Sequence, residues 1–306
     1  MTEDLASEIE KLKEARRAVI LAHNYQPDEV QDVADHVGDS LGLSIIASTT
    51  EAGLIVFCGV YFMAETAKIL SPKKTVLMPE VIAGCPMADM ITVPKLKKLK
   101  EEHPGAKVVC YVNSSAAVKA ESDICCTSAN AVNVVNSLTD ADEILFVPDK
   151  YLGMYVATKV KGKKFYFSDG FCPTHMKITL EQIKKLKEEH PAAKVIVHPE
   201  CRPEVIALAD EVLSTGGMLK FAKSSGAREI IVGTEIGLMH RLKKENPDKL
   251  FYPASPLAVC PNMKLTTLEK ILWSLEDLKT EITVPEDIAN RARSAIEKMV
   301  NIGRQD

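Results

Sequence analysis

Short apolar runs alternate with stretches of helical periodicity along almost the whole chain. Runs such as AVILA at 18–22 hold about five consecutive apolar residues, which is typical of strands buried on both faces of a sheet. Between the runs, apolar residues recur every three or four positions, as at Leu5, Ile9 and Leu12, and predict amphipathic helices. Strands that alternate with helices in this way favour parallel sheets covered on both faces, an α/β fold.

This pattern repeats. LKKLKEEHPGAK at 96–107 returns as IKKLKEEHPAAK at 183–194, 87 residues later, and a fainter, shorter copy lies at 9–18. Solenoid repeats span roughly 20 to 50 residues, so each copy here is long enough to be a small domain. We predict three pseudo-threefold-related αβα sandwich domains with parallel sheets and a functional site at their junction. Their predicted boundaries are 1–84 plus the tail 265–306 for the first domain, 85–171 for the second and 172–264 for the third.

Two local expectations concern the less regular parts of the chain. Apolar positions from 30 to 37 predict one helix face in the first copy. The repeat stops after Met263, where the pattern predicts a helix at 267–278, a short strand at 281–284 and a helix at 286–300. The last helix has an apolar face, and we expect that face to dock on the first domain.

Four polar positions stand in register in all three copies. The first strand of each copy ends in two polar residues separated by one position, a hydroxyl residue follows after 15 residues, and a cysteine follows after 44 or 45 more. Ligands bind beyond the carboxyl ends of parallel strands, so we expect these side chains around one cavity. They are His23, Tyr25, Ser40 and Cys85 in the first copy, Tyr111, Asn113, Ser128 and Cys172 in the second, and His198, Glu200, Thr215 and Cys260 in the third.

The cysteines of this register each precede a proline and suit a soft metal centre, either zinc or an iron-sulfur cluster. A single buried cysteine is ordinarily an apolar core residue. Structural zinc takes four protein ligands, commonly from short hairpins, whereas these three are far apart in sequence. The spacing therefore favours a three-cysteine iron-sulfur cluster with one open iron. The remaining cysteines are predicted to be buried apolar residues: Cys58, Cys110, Cys125, Cys126 and Cys201.

The hydroxyl trio of Ser40, Ser128 and Thr215 occurs where strands lead into helices. Ser and Thr at such positions are first of all expected to be helix N-caps. Helix N-termini that face a shared cavity also attract anions, so the trio is a candidate cradle for a phosphate and a carboxylate.

Composition excludes several classes of protein. The 306 residues are 46% hydrophobic and 26% charged, as in soluble globular proteins. A net charge of −4 gives no electrostatic footprint for nucleic acid. The start of the chain lacks the pattern of a signal peptide, and no apolar run approaches the roughly 18 residues of a membrane span, so we expect a cytoplasmic protein without a membrane partner. Thiols stay reduced there, which disfavours a disulfide framework.

Several motifs together resemble the quinolinate synthase family over nearly the whole length of the chain. Each motif alone is weakly specific, but their combination with three spaced cysteines is highly specific. The motifs are HNY at 23–25, GDS at 38–40, YVNS at 111–114, TSAN at 127–130, HPEC at 198–201 and STGG at 214–217.

The resemblance implies a 4Fe-4S cluster held by Cys85, Cys172 and Cys260. It also implies condensation of iminoaspartate with dihydroxyacetone phosphate to quinolinate, phosphate and water, a step of de novo NAD biosynthesis. An oxidase or dehydrogenase is then a candidate partner that supplies iminoaspartate. The implied catalytic residues are Tyr25, Glu200, His23 and His198, and the implied substrate-binding residues are His23, Ser40, Tyr111, Asn113, Ser128, His198, Glu200 and Thr215.

Within that reading, Tyr25 and Glu200 take part in acid and base steps, and the surroundings of Glu200 are expected to tune its pKa toward working pH. Phe171 departs from the family pattern, since a histidine is common before the second cluster cysteine, and the role of nearby His175 stays undecided. Met263 stands where some relatives have a further cysteine, so no regulatory disulfide is expected there. The alternatives are a triplicated phospho-ligand-binding scaffold with structural zinc and a three-cysteine-cluster hydro-lyase.

Overall fold

Three four-stranded parallel sheets form the core of the part of the chain that the structure, a computed structural model, describes, residues 2–304 and 306. Each sheet has its second strand in sequence at one edge, followed by the first, third and fourth. The strands are β1 (Ala18–His23), β2 (His36–Gly38), β3 (Leu54–Cys58), β4 (Thr75–Leu77), β5 (Lys107–Tyr111), β6 (Ile124–Cys126), β7 (Glu143–Val147), β8 (Lys164–Phe167), β9 (Lys194–Val197), β10 (Glu211–Val212), β11 (Glu229–Gly233) and β12 (Leu250–Pro253). The predicted α/β class with three αβα units is confirmed.

Helices cover both faces of the sheets. No helix in the described residues is long and apolar enough to cross a membrane. The helices are α1 (Thr2–Arg16), α2 (Asp28–Val33), α3 (Ser40–Thr49), α4 (Tyr61–Leu70), α5 (Pro86–Asp89), α6 (Val93–Glu102), α7 (Ala116–Ala120), α8 (Ala131–Ser137), α9 (Lys150–Lys159), α10 (Leu180–Glu189), α11 (Pro203–Ile206), α12 (Thr215–Ser224), α13 (Leu238–Glu245), α14 (Leu268–Asp277) and α15 (Glu286–Asn301), with 3-10 turns at His175–Lys177 and Asn262–Lys264.

One aspartate per unit fixes the entry to the short edge strand. Asp35, Asp123 and Asp210 each accept a hydrogen bond of 2.8 Å from a backbone N–H of the neighbouring first strand, donated by Ile20, Val108 and Val195 respectively. A carboxylate thus continues the hydrogen bonding of the first strand before the edge strand begins. The repetition of this bond in all three units supports the threefold repeat at atomic detail.

Two local predictions were wrong. The expected helix face at 30–37 is divided, because α2 ends at Val33 and β2 begins at His36. Edge strands of two or three residues are too short to show the alternation by which a strand is recognised. The expected strand at 281–284 is reduced to a single bridge, in which Glu281 pairs with Leu77 at the end of β4.

The tail contacts two units. Helix α14 packs on α1 of the first unit, whereas α15 packs on α7 and β6 of the second unit and on α4 of the first. Residues Ala292, Ala295, Ile296 and Met299 form its buried face. The last helix therefore joins two units instead of docking on the first alone, and the domain boundaries given above stay a prediction.

Candidate active site

A cavity with an empty volume of about 690 Å³ lies at the junction of the three units. Every polar position of the threefold register lines it. These side chains belong to His23, Tyr25, Ser40, Tyr111, Asn113, Ser128, His198, Glu200, Thr215 and the cysteines Cys85, Cys172 and Cys260. Parallel strands that end at one place in each unit bring twelve residues distant in sequence to one space.

The hydroxyl trio is not used for helix capping, contrary to the sequence-based expectation. Asp39 caps α3 and Ser214 caps α12, each accepting a bond from a backbone N–H three residues on. Thr215 accepts instead from Asn24 Nδ2 at 2.9 Å, and the Ser128 hydroxyl lies 3.1 Å from His198 Nε2. Ser40 and Thr215 are not needed as caps, because Asp39 and Ser214 fill that role, and all three hydroxyl residues line the cavity.

A chain of close polar contacts runs from Tyr25 to Glu200, hydrogen-bonded as far as His175. The Tyr25 hydroxyl lies 2.6 Å from Thr234 Oγ1, which lies 3.0 Å from His175 Nε2. His175 Nδ1 lies 2.7 Å from Glu200 Oε2. The N–H of Nδ1 is not aligned with the carboxylate as a hydrogen bond, so the contact is an ion-pair contact. With the ring proton on Nδ1, beside the carboxylate, Nε2 is left to accept from the Thr234 hydroxyl, which in turn accepts from Tyr25. The chain can therefore carry a proton between Tyr25 and His175.

Glu200 is held as a carboxylate. Burial opposes its ionisation, but the facing His175 ring and the hydrogen bond from Tyr111 outweigh burial and lower its pKa. The Tyr111 hydroxyl donates to Glu200 Oε1 at 2.6 Å. The expectation of a pKa tuned toward working pH is thus wrong for Glu200, because two donors face its charge.

His23 and His198 are buried and neutral. Burial lowers the pKa of His23 to about 4 and that of His198 to about 3, despite the nearby charges of Asp39 and Glu200. The N–H of Tyr25 donates to His23 Nδ1 at 3.2 Å, and the N–H of Glu200 donates to His198 Nδ1 at 3.4 Å. In both rings the proton then lies on Nε2, which makes each a donor.

Comparison with known proteins decides the family. The model for "NadA: Quinolinate synthetase A protein" matches residues 7–301. A quinolinate synthase of Dehalococcoides mccartyi is 59% identical over 298 residues, 97% of this chain and 98% of the relative. One of Geotalea uraniireducens is 57% identical over 302 residues, 99% of each chain. One of Methanosarcina barkeri is 56% identical over 299 residues, 98% of each. The chain belongs to the quinolinate synthetase A family.

In this enzyme of the quinolinate synthetase family the register cysteines lie on equivalent loops after β4, β8 and β12. Burial raises the pKa of all three thiols, to about 12 for Cys85, so a cation is needed to ionise them. In the turn that follows each cysteine, backbone N–H groups point at the sulfur. They belong to Met87 and Ala88 for Cys85, to His175 for Cys172, and to Asn262 and Met263 for Cys260. Such donors stabilise thiolates, so the loops suit metal binding.

The ligand atoms of Cys172, His175 and Glu200 lie within 4.8 Å of one another and could also hold a metal. Within residues 2–304 and 306, the sulfurs of Cys85, Cys172 and Cys260 do not all lie within 4.8 Å of one another. One zinc ion binds each sulfur at roughly 2.3 Å and would draw three of them to within about 4 Å. This wider spacing suits a centre in which each sulfur binds a different atom.

Sequence reasoning missed Thr234 and left His175 undecided. Thr234 follows β11 directly, at a position where the other units have Gly59 and Pro148. A hydroxyl that occurs in only one copy gives no signal in a comparison of copies. His175 gives one signal, since it follows Cys172 by three residues, but only the fold shows that it faces Glu200.

The two neutral histidines predict a pH-dependent stability. Folding lowers their pKa values, so between pH 6.5 and 4 the unfolded chain binds protons that the folded chain does not, and the free energy of unfolding decreases as the pH falls. For His23, a pKa lowered from 6.5 to about 4 corresponds to about 3 kcal/mol over that range. Urea unfolding of cluster-free protein at pH 7.5, 6.5 and 5.5 measures this dependence.

His198→Gln should flatten that dependence, whereas His36→Gln, at an exposed position, should keep it. Equal slopes in the wild type and in His198→Gln would contradict the assignment of a neutral buried His198.

Proposed function

We propose that the chain condenses iminoaspartate with dihydroxyacetone phosphate to quinolinate, releasing phosphate and water, with a 4Fe-4S cluster bound by Cys85, Cys172 and Cys260. The observation that carries this proposal is the convergence of all twelve register side chains on one cavity in a member of the quinolinate synthetase family. In the cell the product would serve NAD biosynthesis, and iminoaspartate would come from an oxidase or dehydrogenase acting on aspartate.

The cluster would supply a Lewis acid, an iron without a protein ligand, to a leaving hydroxyl or a carboxylate. Three sulfurs from three units fit it, because each comes from one loop and each sits beside backbone N–H groups. The chain's own contribution is to hold these sulfurs apart and to enclose the reacting molecules.

The cavity must also bind the anionic groups of its substrates. The neutral rings of His23 and His198 present Nε2–H donors, and Ser40 and Thr215 begin helices whose free N–H groups carry partial positive charge. A phosphate and the carboxylates of a dicarboxylic substrate are the anions for which these donors are suited.

The chain of polar contacts from Tyr25 to Glu200 supplies the acid and base. Burial, and then the charge of Glu200, raises the pKa of Tyr25. The hydroxyl therefore stays protonated until a reacting group takes the proton. When Tyr25 takes a proton from carbon, its own hydroxyl proton passes through Thr234 to His175 Nε2, and the Glu200 carboxylate stabilises the resulting imidazolium. The imidazolium can then return that proton through Thr234 when Tyr25 gives its proton to a leaving hydroxyl.

Anaerobic purification tests the proposal. The protein should be brown, contain about four irons and four sulfides per chain, and form quinolinate only when both substrates are present. A colourless protein with zinc would support the scaffold, and turnover without dihydroxyacetone phosphate would support the hydro-lyase. Either result would overturn the proposed function.

Alanine at Ser128 or Thr215 should raise the KM for dihydroxyacetone phosphate about tenfold, the effect of one lost bond to a charged group. Iron content should stay close to the wild type, and no capping bond is lost, because neither hydroxyl caps a helix. The melting temperature should fall only in Thr215→Ala, which loses the bond from buried Asn24. The measurement is steady-state kinetics at saturating iminoaspartate.

Thr92→Ala is the matched control, since Thr92 caps α6. It should cost about 1 kcal/mol of stability and leave the KM unchanged. If the Ser128 and Thr215 variants behave like Thr92→Ala, the hydroxyls serve the fold and not the phosphate.

A further inference from the structure

The segment after α15, residues 302–304 and 306, contacts all three units beside the hydroxyl trio. Asn130, at the start of α8, donates through Nδ2 to the carbonyls of Met299 at 2.9 Å and Ile302 at 3.1 Å. From there Arg304 and Asp306 reach the starts of α3 and α12 in the first and third units. The segment thus links the three helix ends that carry or adjoin the hydroxyl trio.

Arg304 is the centre of this link. Its Nη1 lies 2.8 Å from Asp39 Oδ2, and its Nη2 donates to Ser214 Oγ at 2.9 Å and to Asp306 Oδ1 at 3.0 Å. Asp306 Oδ2 in turn accepts from the N–H of Ser214 at 2.8 Å. Asp39 and Ser214 are the caps of α3 and α12, so each immediately precedes a cavity hydroxyl.

Two glycines leave space for these contacts. A Cβ at Gly216 would collide with Arg304 Nη2 and would lie 2.6 Å from Asp39 Oδ2. A Cβ at Gly217 would collide with the carboxylate of Asp306. Side chains at the start of α12 would therefore displace the segment, which gives the STGG motif a second purpose beyond the helix start.

Arg304 offsets the negative charges of two buried carboxylates, Asp39 and Asp306. The side chains of Asp39 and Asp306 are 8% and 7% exposed, and both contact the one guanidinium. Although burial acts against it, the charges of these two carboxylates raise the pKa of Arg304. Without the guanidinium, two negative charges would stand beside hydroxyls that are suited to a phosphate dianion.

We propose that Arg304 is a positioning residue for the phosphate of the substrate, joining the N-termini of α3 and α12 and neutralising Asp39 and Asp306 beside them. This inference rests on the proposed function of the hydroxyl trio. An arginine suits the task because its planar fork bonds several oxygens at once, which the ammonium of a lysine does less well. Arg304 itself touches neighbouring protein groups, and Ser40 and Thr215 present the bonds to substrate.

The test compares Arg304→Gln with wild-type holoenzyme. The KM for dihydroxyacetone phosphate and the inhibition constant of inorganic phosphate should both rise about tenfold, because an uncompensated pair of carboxylates repels either anion. The kcat per loaded cluster should change less than about twofold. Arg291→Gln is the matched control: Arg291 lies on α15 and bonds Glu121 at 2.8 Å, away from the trio, so its constants should equal the wild type.

Two further variants separate charge from packing. Arg304→Gln combined with Asp39→Asn should recover part of the lost affinity, since asparagine still caps a helix while removing one charge. Arg304→Lys should lie between the wild type and Arg304→Gln. Calorimetric binding of inorganic phosphate, which needs no turnover, distinguishes the role of Arg304 from the proposed reaction.

Wild-type affinity for phosphate in Arg304→Gln would overturn the role of Arg304 while leaving the proposed reaction intact. A wild-type enzyme that forms no quinolinate would instead overturn the proposed reaction. A fall in kcat with an unchanged KM and unchanged phosphate binding would also contradict the positioning role.

Discussion

Serine in place of Cys85, Cys172 or Cys260 is expected to abolish cluster assembly. Each thiolate would hold a different iron, and no other cysteine replaces it, because Cys58, Cys110, Cys125, Cys126 and Cys201 are buried in the sheets or beside them. The measurement is iron and sulfide content after anaerobic reconstitution, with visible absorbance. We expect less than about a tenth of wild-type iron and no quinolinate, since a site with two remaining sulfurs does not hold the cluster.

Cys58→Ala is the control, because Cys58 ends β3, is fully buried and has a thiol that burial keeps protonated. It should load a full cluster at a small loss of stability. Full iron in any of the three serine variants would contradict the assignment of the ligands. One equivalent of zinc in the wild type, lost in all three variants, would favour the structural-zinc scaffold.

The fold was predictable to the extent that it repeats and has strong apolar periodicity. The central strands are buried runs, such as β3 and β7, and the repeated helices α6 and α10 have similar sequences. The edge strands β2, β6 and β10 were missed, because two or three residues carry no pattern. Each pairs with the strand that precedes it in the chain, with a separation of 15 residues, and only the folded chain shows that pairing.

The site was predictable where it follows the repeat and unpredictable where it departs from it. All twelve register residues line the cavity, because equivalent positions in related units must lie around a shared axis. Thr234 and His175 occur at positions where the other copies have different residues, and Arg304 lies in the tail after the repeat. The capping role expected of Ser40 and Thr215 went to Asp39 and Ser214 one residue earlier, a shift within the ordinary uncertainty of a helix start.

The second large effect that we expect is the loss of turnover when Glu200 is replaced. Glu200→Gln should keep a fully loaded cluster and still bind quinolinate, yet reduce kcat about a thousandfold, within the range of lost acid and base catalysis. Glutamine has the same shape but no charge, so it cannot stabilise a proton on His175 at 2.7 Å. Condensation and phosphate loss should survive, because the anion-binding hydroxyls are untouched.

Anaerobic rapid quench measures this directly: the variant should release phosphate and stall before quinolinate appears. Thr234→Val should stall at the same stage, since it removes the hydroxyl that joins Tyr25 to His175 without touching any charge. Glu65→Gln is the matched control, because that half-buried carboxylate accepts from the N–H of Ala116 outside the cavity, and its turnover should equal the wild type.

The pair of variants separates two roles of Glu200. If the carboxylate acted alone as the base, Glu200→Gln would stall while Thr234→Val turned over normally, since Thr234 bonds His175 and Tyr25 instead of Glu200. If the relay from Tyr25 is the path of the proton, both variants stall together and the double variant loses little more than either single one, because the effects of residues that act as one unit are not additive. Normal quinolinate formation in Glu200→Gln would remove Glu200 from both schemes.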